Sequence, residues 1–247
     1  MKKGKPVLIL QLRPEDATSD SEYACFLKYG GLQARDTCRL RIERHGIPAG
    51  LELDDYSAII VGGSPFDIST PDDEKPAIQK KIEADFTKLL GQVVSRDFPF
   101  LGACSGNGLL GSYLGTQIST TYREAISCVS LTITAAGKRD KLLAGFPDQI
   151  DVLLGHKEAA DTTPAGATLL ITGSACPVQM FRIGENVYAT QFHPEGDAEG
   201  FILRIDTYRN HGYFEPHEAD TLKKAVGLKP TPYAQEILRR FVASYYF

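Results

Sequence analysis

Pro6 to Leu12, PVLILQL, is apolar at almost every position, the pattern of a central strand buried on both faces of a parallel sheet. Asp20-Ser21 then offers an N-cap, Tyr23, Phe26 and Leu27 trace an apolar stripe, and Gly30-Gly31 supplies a helix stop. Cys38 to Ile42 reads as a weaker, partly alternating strand, and Tyr56 to Val61 as a short apolar one. Thr70-Pro71-Asp72-Asp73 predicts a helix start, with Thr70 as N-cap and Pro71 at the first helical position. Ile78, Ile82, Phe86, Leu89, Leu90 and Val93 follow at helical spacing. Phe98 to Leu101 is the next buried strand, and the Leu109–Leu110 and Tyr113–Leu114 pairs place a helix after it.

Beyond Gly115 the pattern changes. Gln117 to Thr121 and Ile126 to Thr134 alternate and are rich in Ser, Thr and Val, as edge or antiparallel strands are. Ile150 to Leu154, Thr168 to Ile171, Val178 to Ile183 and Asn186 to Thr190 continue the series, with Gly184-Glu185 as a hairpin turn. The tail from Ile205 carries two capped helices, one from near Pro216 to Gly227 and one from Thr231-Pro232 onward. Together these signals predict an α/β fold: a mostly parallel sheet with helices on both faces and a small antiparallel annex.

No composition break divides the chain, so one domain over residues 1–247 is expected, with a helical extension over about 205–247. At that length it can bury about 70–75% of its unfolded surface without staples. The net charge of −4, with signs interspersed, gives no electrostatic footprint for nucleic acid. No apolar run approaches the ~18 residues of a membrane helix. Five cysteines, Cys25, Cys38, Cys104, Cys128 and Cys176, form no C-x-x-C pair, and no signal peptide is evident, so a cytoplasmic setting is expected.

The chemistry concentrates in two places. Gly102-Ala103-Cys104-Ser105-Gly106 lies between a strand and a helix, with small residues two positions either side of Cys104. A sharp strand-to-helix turn needs that pattern, because a side chain there would collide with the neighbouring backbone. Cys104 is then either a nucleophile near a helix N-terminus, which favours thiolate, or a buried cysteine in a glycine-rich loop. The second place is Gln191-Phe192-His193-Pro194-Glu195, where a strand ends. Residues two apart in extended chain share a face, so Glu195 can hold one ring nitrogen of His193 and leave the other for a thiol proton. A lone surface histidine is the plain alternative. The Gly62-Gly63-Ser64-Pro65 loop is either a simple turn or a place where backbone approaches a ligand. A metal site is the competing constellation, but Cys104, His193 and Glu195 lack ligand spacing beyond one short pair, and no metal or cofactor is expected.

On these three strings the sequence resembles the class I glutamine amidotransferases, and Gln191-Phe192-His193-Pro194-Glu195 matches the family string without change. Softer similarity runs through Gly155-His156-Lys157-Glu158, Pro164 to Ala167 and Cys176 to Gln179, over about Val7 to Arg204. The resemblance implies a flavodoxin-like sheet and a Cys-His-Glu triad of Cys104, His193 and Glu195. It further implies an oxyanion hole from the N–H groups of Gly63 and Ser105, with Gly62, Ser64, Gly108, His156 and Gln191 around the substrate. The implied substrate is glutamine or another γ-glutamyl compound, cleaved through a thioester. The ammonia would pass to a separate synthetase partner, since the chain has no P-loop. One departure matters: where the family usually reads Cys-x-Gly-x-Gln, this chain has Gly108, which puts free glutamine in question and leaves room for a bulkier γ-substituent. A stand-alone γ-glutamyl hydrolase and a non-catalytic module on the same fold are the alternatives. In the tail, Phe241, Tyr245, Tyr246 and Phe247 form an aromatic stripe, for a partner or for the chain's own core.

Overall fold

The apolar run after Pro6 forms β1 (Val7–Gln11), buried at every position, in the computed structural model, which describes residues 4–211 and 213–246. Then come α1 (Asp16–Gly30), β2 (Thr37–Arg41), a single-turn α2 (Ile42–His45), β3 (Ala58–Val61), α3 (Ala77–Ser95), β4 (Phe100–Ala103) and α4 (Ser105–Tyr113). The strand-rich segment gives β5 (Ile118–Ser119), β6 (Glu124–Ile133), β7 (Gln149–His156), β8 (Ala159–Ala160), β9 (Thr168–Thr172), β10 (Met180–Ile183) and β11 (Val187–Thr190). Three helices close the chain: α5 (Ala198–Thr207), α6 (Ala219–Val226) and α7 (Pro232–Tyr245).

Nine strands form one sheet in the order β2-β1-β3-β4-β11-β10-β9-β6-β7, and β5 and β8 pair separately. The half from β2 to β11 is parallel, with the 2-1-3-4 order of flavodoxin-like sheets, and β11 to β7 is antiparallel. The expected annex is thus a continuation of the parallel sheet, joined through β11. Alternation along β1 assigns the two faces. Val7 and Ile9 pack with Phe26 of α1 and with Ile237, Leu238 and Phe241 of α7, whereas Leu8 and Leu10 pack with Phe86, Leu89 and Leu90 of α3 and Leu110 of α4. A smaller cluster seats Phe201 and Ile205 of α5 and Val226 of α6 on Ile126 and Leu153. Among the described residues no helix is long and apolar enough to cross a membrane.

Three expected boundaries are corrected. Helix α1 begins at Asp16, a turn before the Asp20-Ser21 signal, with Asp16 in its first turn where the helix dipole favours a carboxylate. Helix α3 begins at Ala77 and not after Thr70, because Pro76 has no N–H for the residue 72 carbonyl and is held extended at ψ 154°. Helix α5, preceding the two helices expected in the tail, is set by an Asp197 N-cap whose carboxylate accepts from Gly200 N–H at 2.9 Å. The tail's aromatic stripe serves the chain's own core: Phe241 is fully buried and Tyr245 and Tyr246 pack beside it, while Phe247 lies outside the described residues.

Candidate active site

The carboxyl ends of β1, β3, β4 and β11 lie side by side in the parallel half, and each delivers one part of the site. Cys104 leaves β4 at φ 54°, ψ −98°, a left-handed conformation that costs an L-residue on the order of 1–3 kcal/mol and is found where surrounding structure fixes it. Two contacts fix it here. Cys104 N–H donates to Thr190 carbonyl at 2.8 Å, extending the β4–β11 ladder by one step, and the Cys104 carbonyl accepts from Asn107 N–H at 2.9 Å to open α4. Glycine is required on both sides. A Cβ on Gly102 would stand 2.7 Å from the Gly106 carbonyl group, and one on Gly106 would press on Val61 at 3.2 Å.

His193 follows β11, its N–H tied to Leu153 carbonyl at 3.0 Å and its ring edge-on to Phe201 at 5.4 Å. Its Nδ1 donates to Glu195 Oε1 at 2.7 Å, which leaves Nε2 as the available nitrogen. The same Glu195 oxygen accepts from Arg204 Nη2 at 3.0 Å. Burial would raise the Glu195 carboxyl, but the hydrogen-bonded His193 and the Arg204 charge outweigh it and hold it far below the usual carboxylate range. Burial lowers His193, and Arg204 and Arg13 add to that against Glu195, so the imidazole is neutral at pH 7. Burial pushes the Cys104 thiol up to about 12, against the pull of Arg13 and Arg204, so it too is neutral.

Cys104 borders two adjoining recesses that share Ser64 and Tyr213. One is lined by Ser105, Gly108, Gln191, Lys157 and Glu158, the other by His193, Arg13, Arg204, Tyr208 and Phe201. Five of the sequence-predicted positions, Ser64, Ser105, Gly108, His156 and Gln191, are therefore brought to the first recess with Cys104. Gln191 is buried there with Oε1 unpartnered, a group available to a ligand N–H. His156 borders the recess but is committed to the protein: Nδ1 bonds the Glu158 carbonyl and Nε2 the Glu124 carboxylate, both at 3.0 Å, fixing the turn that presents Lys157 and Glu158.

Three sequence-derived roles change. Gly63 does not offer its N–H to the recess, because that group already donates to Glu22 Oε1 at 3.1 Å. Neither Ser64 N–H nor Ser105 N–H has a hydrogen-bond partner among the described residues, and both residues line the first recess with Cys104. Gly62 faces the Glu22 carboxylate, with which a Cβ would collide, and stands behind the recesses. Gly108 opens less room than its missing side chain suggests, since Ile68 Cδ1 stands 2.9 Å from where a Cβ would be.

Sequence reasoning missed Arg13, Glu22, Arg204, Tyr208 and Tyr213. Arg13 sits just past the carboxyl end of β1, 4% exposed, with Nε on Glu22 Oε1 at 2.8 Å and Nη1 on Tyr208 Oη at 3.3 Å. Glu22 is fully buried on α1 and also accepts from Gln11 at 3.0 Å. The first charged side chain after a nearly all-apolar central strand was the available signal for Arg13, since that edge of an α/β sheet is where ligands bind. Glu158 anchors the loop after β3, its two oxygens accepting from Ile68 N–H at 2.7 Å and Ser69 N–H at 2.8 Å. Glu124, His156 and Cys176 bring one donor atom each within 4.8 Å of one another. That cluster is internally hydrogen-bonded, with His156 and Gln179 both on Glu124 Oε2.

A family model described as Glutamine amidotransferase class-I matches residues 33–201. The chain is 30% identical over 146 residues to the glutamine amidotransferase-like protein YfeJ of Salmonella typhimurium, across 59% of each chain. It is 25% identical over 228 residues to gamma-glutamyl peptidase 3 of Arabidopsis thaliana, across 85% of this chain and 86% of that one. A glutamine-hydrolysing GMP synthase subunit of Methanosphaera stadtmanae is 28% identical over 104 residues, 42% of this chain and 54% of that relative. The matched segment thus spans little more than half the length of YfeJ and of the GMP synthase subunit. Solved structures share the fold: a glutamine amidotransferase from Thermotoga maritima has a TM-score of 0.70 at 20% identity, covering 96% of this chain and 98% of that one. One from Methylobacillus flagellatus has a TM-score of 0.71 at 18% identity, covering 98% and 96%.

Proposed function

The chain belongs to the glutamine amidotransferase class-I family, and from that premise we propose that it hydrolyses the γ-amide bond of a glutamyl substrate through a thioester on Cys104. The observation that carries this reading is the placement of Cys104 and His193 on one recess, with His193 oriented through Nδ1 by a buried, ionised Glu195. Thiol and imidazole both start neutral, so the thiol proton passes to His193 Nε2 as Sγ attacks the amide carbon. The carbonyl oxygen gains charge in that step and is met by the Ser64 and Ser105 N–H groups, each donor worth on the order of 10²–10³ in rate. The imidazolium, stabilised by Glu195, returns its proton to the departing nitrogen, and water cleaves the thioester by the same route in reverse. Lys157 is the candidate partner for the glutamyl α-carboxylate, and Glu158 and Gln191 are candidates for its α-amino group.

The stand-alone reading is supported by the site's own enclosure. Tyr208 and Tyr213, from the segment that ends and follows α5, complete the wall over Cys104, and Tyr213 Oη donates to Ser64 carbonyl at 3.2 Å. A second reading, delivery of ammonia to a separate synthetase partner, is favoured by the relative named as one subunit of a GMP synthase. Glutamate release from glutamine and from γ-glutamyl amides by the purified protein, with Cys104→Ala as control, tests both. Turnover of γ-glutamyl compounds unaided supports the hydrolase; slow release from glutamine alone supports the partner-dependent amidotransferase. No Cys104-dependent release, together with a Cys104 inert to alkylation, rejects both.

A further inference from the structure

The two recesses that meet at Cys104 are not equivalent chemically. During acylation the carbonyl oxygen must lie toward Ser105, and the departing nitrogen must lie toward His193, which protonates it. Ser105 borders only the first recess and His193 only the second. The acyl half of a substrate therefore occupies the first, and the leaving amine enters the second. The second recess carries two arginines, Arg13 and Arg204, in its wall. Arg13 and Arg204 are 4% and 5% exposed, and each holds a carboxylate with only part of its fork. Arg13 Nη2 has no hydrogen-bond partner among the described residues, and Arg204 Nη1 is buried with none. Arg13 Nη2 and His193 Cε1 both lie against the spot a Gly63 Cβ would occupy, so this open donor stands beside the ring that serves the leaving group. The remaining wall is aromatic, from Tyr208, Tyr213 and Phe201.

Ammonia leaves those guanidinium donors unmet, and so does a simple alkylamine. A carboxylate a few atoms from the departing nitrogen meets them, in the geometry for which arginine is suited. Resting on the reading of the chain as a γ-glutamyl amide hydrolase, we propose that the recess lined by Arg13, Arg204, Tyr208 and Tyr213 is a leaving-group site that selects γ-glutamyl amino acids and peptides by their free carboxylate. Glu22 and Glu195 are the counter-charges of the two guanidinium groups. They hold the two side chains in place, and Arg13 Nη2 is the donor left for the ligand beside His193.

The test compares kcat/KM for γ-glutamylglycine, γ-glutamylglycinamide and γ-glutamylmethylamide, which differ in the leaving group's charge and length, by glutamate release from the full chain. Wild type is expected to favour γ-glutamylglycine over the glycinamide at least tenfold, since a site built around a polar partner rejects an analogue that lacks it. Arg13→Gln is expected to bring that ratio close to one, and Arg13→Lys to leave it in between. Arg13 also holds Glu22, so melting curves accompany both variants, and the wild-type ratio decides the matter even where a variant does not fold. A wild-type ratio near one overturns the carboxylate site while the hydrolase stands. A tenfold preference that persists in a folded Arg13→Gln removes Arg13 from it. No Cys104-dependent release from any of the three compounds sinks the hydrolase reading and this site with it.

Discussion

Glu22→Gln changes one charge in the interior and almost nothing in shape. The carboxylate is fully buried, paired with Arg13 at 2.8 Å, 3.8 Å from Arg204 Nη2, and bonded to Gln11 and to Gly63 N–H. The glutamine keeps one acceptor oxygen but turns a second acceptor into a donor aimed at groups that are themselves donors. Arg13 is then a buried cation without its anion. Removing one partner of such a pair costs about 3–5 kcal/mol, and because both side chains are 5% exposed or less, solvent screening does not reduce it. For a chain of 247 residues that corresponds to a fall in Tm of about 6–20 °C. Circular-dichroism melting and urea titration measure it, and glutamate release from a γ-glutamyl substrate measures the second effect. Freed from Glu22, the Gly63–Ser64 backbone loses its anchor, so kcat is expected to fall more than tenfold. The double variant Glu22→Gln/Arg13→Met removes the stranded cation and is expected to be more stable than Glu22→Gln alone. A single variant within about 1 kcal/mol of wild type and fully active would refute the assignment of Glu22 as the organiser of this edge.

Four further outcomes follow from the same geometry. Cys104→Gly is expected to be more stable than Cys104→Ala by about 1 kcal/mol, the backbone strain at φ 54° relieved less the entropy glycine adds to the unfolded chain, read from the two denaturation midpoints. Gly102→Ala drives a methyl into the Gly106 backbone, so it should destabilise the fold by about 1–3 kcal/mol and abolish glutamate release, with loss of Cys104-dependent turnover the clearest readout. His193 sits below its ordinary 6.5, so the neutral base and the stability it lends are complete above pH 6.5 and are lost as pH falls through its lower folded value. The acid limb of kcat/KM should therefore lie below pH 6.5. Cys104, pushed up to about 12, should be alkylated by iodoacetamide at a rate that is still rising at pH 10.

Hydrophobic pattern and steric punctuation were enough to write down the sheet, the elbow and the pairing of His193 with Glu195. Strands buried on both faces read as unbroken apolar runs, Gly102 and Gly106 mark a turn that admits no side chain, and the His193–Glu195 spacing imposes one face on both groups. These are local effects, set by residues within a few positions of one another. Helix starts were less legible because two local signals compete, as where Pro76 overrides the cap at Thr70. What only the tertiary structure decided is which charged groups are buried together. Arg13, Glu22 and Arg204 come from β1's end, α1 and α5, and apart from Arg13's place after an apolar strand nothing in their own neighbourhoods distinguishes them from solvated surface residues. The fold brings them behind the Gly62–Ser64 loop, where burial makes each charge depend on a partner distant in sequence. That same arrangement turns Gly63 N–H away from the site and leaves Ser64 N–H without a partner among the described residues.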